Sequence, residues 1–216
     1  MNTPITLVAF DCWGTVFTNA QKPHPFAVFA KRIGKGLTDR QYQATFEQHL
    51  MTEVYPDLKL PIMSLLEELG IPVTDKLLSD LETILLDSTH SQVAFPETLK
   101  ALESLAKDYR LAMITNTFQQ GFEKLATTFP IRDYFEIVIT SYEEHFVKPD
   151  QHMFKTLFQR AQVRPEEVLY VGDSVRSDMD PAGELGMQTV LIDRRKRYPQ
   201  YPRRITNLKQ LAGFTL

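Results

Sequence analysis

The chain has few of the features that mark secreted, membrane-embedded or nucleic-acid-binding proteins. A single cysteine, Cys12, occurs in 216 residues, which excludes an intrachain disulfide and suits a reducing compartment. No apolar run approaches the ~18 residues of a membrane-spanning helix, and no basic region followed by a long apolar stretch opens the chain. The formal net charge of −3 gives no general attraction to nucleic acid or to an anionic membrane. These absences predict a soluble, cytoplasmic protein without nucleic-acid or membrane partners.

The composition is otherwise that of a globular domain, 43% hydrophobic and 24% charged. Short runs rich in β-branched residues predict buried strands at 5–10, 110–114, 136–139, 168–171 and 189–192. Amphipathic segments of helical length lie between these runs, and Pro96–Tyr109 is one of them. Strands that alternate with helices predict an α/β fold with a parallel sheet and right-handed crossovers.

One long segment interrupts this alternation, because residues 19–92 contain only helix signals. Thr38 and Gln41 have the spacing of a capping box, and Thr74 precedes an apolar stripe that is typical of an amphipathic helix. We therefore expect an all-helical module of about four helices, inserted after the first strand and its turn.

The predicted domain division is a core of residues 1–18 and 93–216 with a helical cap of residues 19–92. Because the insertion begins beside Asp11, we expect the cap to cover that position as a lid does. Additional packing on a face of the sheet is the alternative.

Two carboxylates follow predicted strands, at the edge of a parallel sheet where ligands bind. Asp11 ends the first strand and precedes a turn through Gly14, and it is a candidate nucleophile or metal ligand. Asp173 follows Gly172 at the end of a later strand, and Asp178 lies about one helical turn further on. Acids around a glycine turn suit a hard cation such as Mg²⁺, with Asp178 orienting the site from behind. A turn or helix-cap role is the structural alternative for Asp11 and Asp173.

Three further residues have side chains suited to an anionic substrate. Thr115 closes the run Leu111–Ile114, and the hydroxyl and amide groups of Thr115 and Asn116 can hold phosphoryl oxygens. Lys148 precedes Pro149, between a strand and the next helix, and its ammonium can neutralise charge on the nucleophile and the transferred group. Each signal is weak alone; their order along the chain makes them informative.

These motifs together resemble the haloacid dehalogenase-like hydrolase superfamily, in the branch with a helical cap. Asp11–Thr15 resembles its first motif, Thr115 the second, Lys148 the third, and Gly172–Asp173 with Asp178 the fourth. The resemblance covers nearly the whole chain. It implies a Rossmann-like core and, for most members, a magnesium-dependent phosphatase.

The resemblance also implies residue roles. Asp11, Thr115 and Lys148 would be catalytic, with Asp11 forming an aspartyl phosphate. Thr115, Asn116 and Lys148 would bind the substrate. The metal ligands would be Asp11, Asp173 and the backbone carbonyl of Trp13. Asp178 would not bind the metal directly and would orient the ligands.

Trp13 departs from the phosphatase pattern, which has a second aspartate there to protonate the leaving group. Tryptophan cannot transfer protons, and such acid–base groups typically contribute about 10²–10⁴ in rate. The resulting prediction is a hydrolase for a small phosphorylated metabolite with a good leaving group, such as an acyl or aryl phosphate.

Two alternatives remain for an aromatic residue at this position. One is a 2-haloacid dehalogenase, whose relatives carry tyrosine there and release halide without a proton, although they are metal-independent and lack the Gly-Asp signature. The other is a non-catalytic phosphate- and metal-binding module.

A basic cluster follows the last predicted strand, and its cations are Arg194, Arg195, Lys196, Arg197, Arg203 and Arg204. Nearby prolines favour a solvated loop over a nucleic-acid-binding patch. Cys12 is interpreted as a packed small residue. The partner is expected to be a small molecule, and the protein a monomer or homodimer.

Overall fold

The structure is a computed structural model that describes residues 3–36 and 40–213. Its strands are β1 (Leu7–Phe10), β2 (Phe17–Asn19), β3 (Gln92–Ala94), β4 (Arg110–Thr115), β5 (Ile137–Thr140), β6 (Val168–Gly172), β7 (Gln188–Ile192) and β8 (Arg204–Ile205). Its α-helices are α1 (Pro25–Arg32), α2 (Arg40–Leu50), α3 (Lys59–Glu68), α4 (Asp75–Thr89), α5 (Thr98–Leu105), α6 (Gln119–Thr128), α7 (Ile131–Tyr134), α8 (Ser141–Glu144), α9 (Gln151–Ala161) and α10 (Asp180–Glu184).

Six strands form one parallel sheet in the order β5-β4-β1-β6-β7-β8. Helices cover both faces of the sheet, and the central strand β1 is therefore buried along its whole length. Alternate residues of β1 belong to different cores: Val8 and Phe10 pack on one side, Leu7 and Ala9 on the other. The predicted Rossmann-like parallel-sheet core is confirmed.

All five predicted strands are present, with their ends shifted by one or two residues. Three strands were not predicted, β2, β3 and β8, because runs of two or three residues give no periodicity to detect. The helix predicted over Pro96–Tyr109 is shorter and begins at Thr98, after the cap residue Glu97.

Four helices, α1 to α4, lie between β2 and β3 and enclose a hydrophobic cluster of their own. The Thr74 hydroxyl accepts a hydrogen bond from the amide of Leu77 and starts α4 as expected. Thr38 lies outside the described residues. The antiparallel β2–β3 ribbon crosses both predicted domain boundaries, and the division into core and cap stays a prediction.

The helical segment contacts the core at several points. Phe118, at the start of α6, packs into the cluster formed by α1 to α4. The Gln120 side chain donates to the carbonyl of Tyr55, and His145 hydrogen-bonds to the carbonyl of Thr52. Among the described residues, none of the helices has both the length and the apolar character needed to cross a membrane.

Candidate active site

The candidate site lies where the sheet changes its direction of winding. The chain runs from β1 to β4 and β5 on one side, then returns to β6 on the other side of β1. Phe10 pairs with Met113 of β4 and with Val171 of β6, so the residues that follow these strands meet at one edge. Ligands bind at this position in open α/β sheets.

Lys148 is the centre of a buried polar network at this edge. Its Nζ donates to Oδ1 of Asp11 (2.7 Å), to Oδ1 of Asp178 (2.6 Å) and to the Tyr170 hydroxyl (3.1 Å). Lys148 is 2% exposed, Asp11 6% and Asp178 1%. Burial alone lowers the pKa of Lys148, but the two carboxylates raise it well above its ordinary value. The ammonium is therefore charged at neutral pH and held against Asp11.

The second oxygen of Asp11 has no such partner. Oδ2 is buried, and none of the described residues gives it a hydrogen bond. Each of Asp11, Asp173 and Asp178 offers a carboxylate oxygen within 4.8 Å of the others. Since buried polar atoms are almost always satisfied, this cluster has the composition of a site for a cation or a polar ligand.

Two glycines let these carboxylates approach the backbone. Gly14 has φ of +88°, and a Cβ there would lie 2.6 Å from Oδ2 of Asp173. A Cβ on Gly172 would lie 2.5 Å from Cγ of Asp178. A side chain at either position would displace a carboxylate of the cluster.

Asp178 is fixed by donors on three sides. Its Oδ2 accepts from the amide of Ser174 (3.0 Å), and its Oδ1 accepts from Lys148 and from the Tyr170 hydroxyl (3.1 Å). A π-helical turn, Val175–Met179, carries it back toward the sheet. Sequence reasoning did not identify Tyr170, which lies within a strand where a tyrosine is read as a core residue.

Thr115 and Asn116 lie at the end of β4, as expected, with Thr115 fully buried. The Asn116 side chain is occupied within the protein: its Oδ1 accepts from the amide of Lys148 (2.7 Å), and its Nδ2 donates to the carbonyl of Lys148 (3.0 Å) and to Oε2 of Glu47 (3.1 Å). The side-chain amide of Asn116, expected to contact a phosphoryl group, therefore positions the Lys148 loop.

Glu47, on α2, connects the helical segment to this site. Burial raises the pKa of Glu47 to about 6, although the hydrogen bond from Asn116 and the charge of Lys148 lower it. Sequence reasoning did not select Glu47, because no pattern distinguishes one carboxylate of a helix from its neighbours.

Trp13 is partly buried, packs against the main core and forms one wall of a cavity beside Asp173. Asp173 is less buried than Asp11, and its carboxylate lies 3.7 Å from the guanidinium of Arg197. Cys12 is a fully buried free cysteine, which agrees with a packing role.

The prediction of a solvated basic loop is wrong for Arg194. Its guanidinium donates to the carbonyls of Gly14 (3.1 Å) and Thr15 (2.6 Å) and pairs with Glu97 (2.6 Å). It also lies 3.5 Å from the centre of the Phe95 ring. Arg194 thereby fixes the turn that follows Asp11. Arg194 lies two residues after the end of β7, at the carboxyl edge of the sheet, and this position was the signal available in the sequence.

Comparison with known proteins gives the site a family context. The family model described as "haloacid dehalogenase-like hydrolase" matches residues 5–186. The glyceraldehyde 3-phosphate phosphatase of Methanocaldococcus jannaschii is 43% identical over 101 residues, which are 45% of this chain and 43% of that enzyme. The aligned region thus spans less than half the length of this relative.

Two other similar proteins align over most of the chain. The (S)-2-haloacid dehalogenase 1 of a Pseudomonas species is 26% identical over 206 residues, 92% of this chain and 88% of that enzyme. The magnesium complex of a HAD family enzyme from Bacteroides thetaiotaomicron has a TM-score of 0.64 and 21% identity, covering 88% of this chain and 93% of that one. At this identity the structural likeness concerns the fold.

Proposed function

Because the chain belongs to the haloacid dehalogenase-like hydrolase family, we propose that it is a magnesium-dependent phosphohydrolase for a small phosphorylated metabolite with a good leaving group. Asp11 is the nucleophile in this proposal. The observation that carries it is the state of the Asp11 carboxylate, with Oδ1 held by Lys148 and Oδ2 buried without a hydrogen-bond partner among the described residues. The protein would work in the cytoplasm, as a monomer or homodimer.

The residues present fit a magnesium ion. Mg²⁺ prefers oxygen ligands and is commonly held by one or two carboxylates, and the three carboxylates here lie within 4.8 Å of one another. Asp11, Asp173 and the backbone carbonyl of Trp13 would hold the ion, while Asp178 stays fixed by Ser174 and Lys148. When bound, magnesium offsets the repulsion between Asp11 and an anionic phosphoryl group.

The proposed reaction has two displacements at phosphorus. In the first, Oδ2 of Asp11 attacks, and the bond between phosphorus and the leaving-group oxygen breaks. The ammonium of Lys148 neutralises the charge that builds up, while the Thr115 hydroxyl and the Asn116 backbone amide orient the phosphoryl oxygens. In the second, water attacks phosphorus, the bond to Oδ2 breaks, and inorganic phosphate leaves with Asp11 restored.

Trp13 limits the first displacement, and replacing it tests the proposal. We expect wild-type protein to hydrolyse p-nitrophenyl phosphate, whose leaving group needs no proton, and to be nearly inactive on ethyl phosphate. Trp13→Asp supplies a carboxyl group that can protonate an alkoxide. We expect it to gain activity on ethyl phosphate by about 10²–10⁴, measured as phosphate released with magnesium present.

Trp13→Asn is the matched control, because it opens the same space without an ionisable group. An equal gain in Trp13→Asn and Trp13→Asp would mean that space, and not proton transfer, was limiting. If wild-type protein releases no phosphate from p-nitrophenyl phosphate at any magnesium concentration, the proposed activity is wrong.

Stabilisation by magnesium is expected to increase with pH. Burial raises the pKa of Asp11 to about 6, more than Lys148 lowers it, and burial followed by repulsion from Asp11 and Asp178 raises the pKa of Asp173 to about 7. Both values exceed the ordinary 3.8, so these two groups destabilise the metal-free fold progressively as pH rises from about 4 through about 7. Since the ion binds deprotonated carboxylates, its affinity rises over the same interval.

The measurement is the increase in Tm caused by about 10 mM MgCl₂ at about pH 5 and about pH 8, with NaCl at matched ionic strength as reference. We expect a small increase at the lower pH and a larger one at the higher. In Asp173→Asn the magnesium effect should be reduced at both. A magnesium effect that is independent of pH would contradict the assignment of these ligands.

A dehalogenase is the second candidate, supported by the aromatic residue at position 13 and by similarity to the Pseudomonas enzyme over 92% of the chain. Asp173 argues against it, because a metal-independent reaction has no use for a partly buried carboxylate this close to Asp11. Chloride release from 2-chloropropionate without metal, and no phosphate release from any ester, would favour this candidate. Phosphate binding without either activity would favour a binding module.

A further inference from the structure

A cavity of about 480 Å³ opens from the candidate site toward the helical segment. Asp173 and Trp13 are among the residues that line it. Lys22 and His24, from the segment that leads into α1, and Arg195, from the loop after β7, line it as well. This volume is within the range of small-metabolite sites. The cavity extends the phosphoryl site toward the remainder of a substrate.

The cavity is strongly cationic, although the chain as a whole has a net charge of −3. Four cationic side chains line it, and Asp173 is the one acidic residue among the described residues that do so. These cations are Lys22, Arg194, Arg195 and Arg197.

Only two of the four cations remain available to a ligand. The guanidinium of Arg194 is occupied by Glu97 and the turn carbonyls, and that of Arg197 faces Asp173 at 3.7 Å. Lys22 and Arg195 are exposed, and no carboxylate in the described part of the chain forms an ion pair with either.

Lys22 and Arg195 line the same cavity as His24, although they come from separate segments. Burial and then the charges of Lys22 and Arg195 lower the pKa of His24, which agrees with this placement. His24 itself caps α1 by accepting from the amide of Phe26 (3.3 Å). Like charges placed together without a carboxylate repel one another, and an anion between them removes that repulsion.

We propose that Lys22 and Arg195 bind a second anionic group of the substrate, a carboxylate or a second phosphate. This inference rests on the proposed function, because it places the first phosphoryl group at Asp11. Apolar side chains that line the same cavity, including Phe26, Met51 and Phe118, would contact the connecting carbon atoms. The substrate class is therefore a small phosphorylated acid or a bisphosphate, and the monophosphate of a neutral alcohol is disfavoured.

Binding is tested with three ligands that share one phosphate. Ethyl phosphate has no second anion, 2-phosphoglycolate adds a carboxylate, and ethylene glycol bisphosphate adds a phosphate. Kd is measured by calorimetric titration with magnesium present, in wild-type protein, Lys22→Gln and Arg195→Gln. We expect wild-type protein to bind at least one two-anion ligand more tightly than ethyl phosphate, and the tighter of the two identifies the preferred anion.

Each substitution should weaken binding of the preferred ligand by about fivefold, the effect of losing one exposed ion pair, and leave ethyl phosphate within about twofold. Lys196→Gln, an exposed lysine in the same loop that does not line the cavity, should change neither. Equal affinity of wild-type protein for all three ligands would overturn the inference, as would variants that weaken all three alike.

Failure of the proposed function gives a different result. If the protein hydrolyses no phosphate ester but retains the two-anion preference and its dependence on Lys22 and Arg195, the subsite stands and the catalytic proposal fails. If p-nitrophenyl phosphate is hydrolysed and the preference is absent, the catalytic proposal stands and the subsite is wrong.

Discussion

Asp11→Asn is expected to reduce phosphate release from p-nitrophenyl phosphate by a factor on the order of 10⁴ or more, as removal of a nucleophile typically does. The amide has nearly the same shape as the carboxylate but cannot attack phosphorus at a useful rate. Initial rates with magnesium in excess measure the effect. A loss smaller than about tenfold would mean that Asp11 is not the nucleophile.

The fold is expected to survive this substitution, which makes the loss interpretable. Lys148 keeps its contacts with Asp178 (2.6 Å) and the Tyr170 hydroxyl (3.1 Å), so its ammonium remains paired. A neutral side chain also removes a buried carboxylate whose pKa burial has raised to about 6. The Tm of metal-free Asp11→Asn at neutral pH should therefore equal or exceed that of wild-type protein.

Oxygen labelling separates the two catalytic candidates at the same residue. Turnover in H₂¹⁸O places the label in inorganic phosphate if water attacks the phosphorus of an aspartyl phosphate, and Asp11 keeps its oxygens. In a dehalogenase ester, water attacks the carboxyl carbon of Asp11, and the label enters the carboxylate. Mass spectrometry of the peptide that contains Asp11 distinguishes these outcomes.

The meeting of Asp11, Lys148 and Asp173 was predictable from the sequence because Asp11 and Asp173 directly follow strands of a parallel sheet and Lys148 lies in the connection after β5. Strand order was not needed, since all carboxyl ends of such a sheet share one edge. The strands themselves were predictable because both faces are buried, which makes each a short and nearly continuous apolar run.

The contacts around these residues were not predictable in the same way. The Tyr170 hydroxyl contacts Lys148 because the Tyr170 side chain leaves β6 on the same face of the sheet as that ammonium. Glu47, on α2, contacts Asn116 because of the way the helical segment is placed over the edge of the sheet. Such contacts depend on how helices pack over the edge, and the periodicity of a single segment carries no information about that. The anchoring of the Asp11 turn by Arg194 connects residues about 180 positions apart, which no local pattern encodes.

Replacing Lys148 by methionine is expected to lower both stability and activity strongly. The substitution keeps most of the volume of a side chain that is 2% exposed but leaves Asp11 and Asp178 without their cation. Breaking a buried ion pair from one side typically costs about 3–5 kcal/mol, and we expect this loss in the free energy of unfolding at neutral pH, measured by urea denaturation. Lys100→Met, at an exposed helical position, should change it by less than about 0.5 kcal/mol.

The stability deficit of Lys148→Met should depend on pH in a defined direction. Lys148 lowers the pKa of Asp11, so its removal raises that pKa further above the ordinary 3.8. The penalty of the unpaired carboxylate is then largest at neutral pH and shrinks as pH falls toward the ordinary pKa, because protonation removes the buried charge.

Adding Asp178→Asn to Lys148→Met should recover part of the stability, since one carboxylate fewer is left without a cation. It should recover none of the activity, because the ammonium that neutralises the transferred group is still absent. A deficit that is the same at about pH 5 and about pH 7.5, or a double variant no more stable than Lys148→Met, would mean that Lys148 stabilises the fold through packing and not through charge.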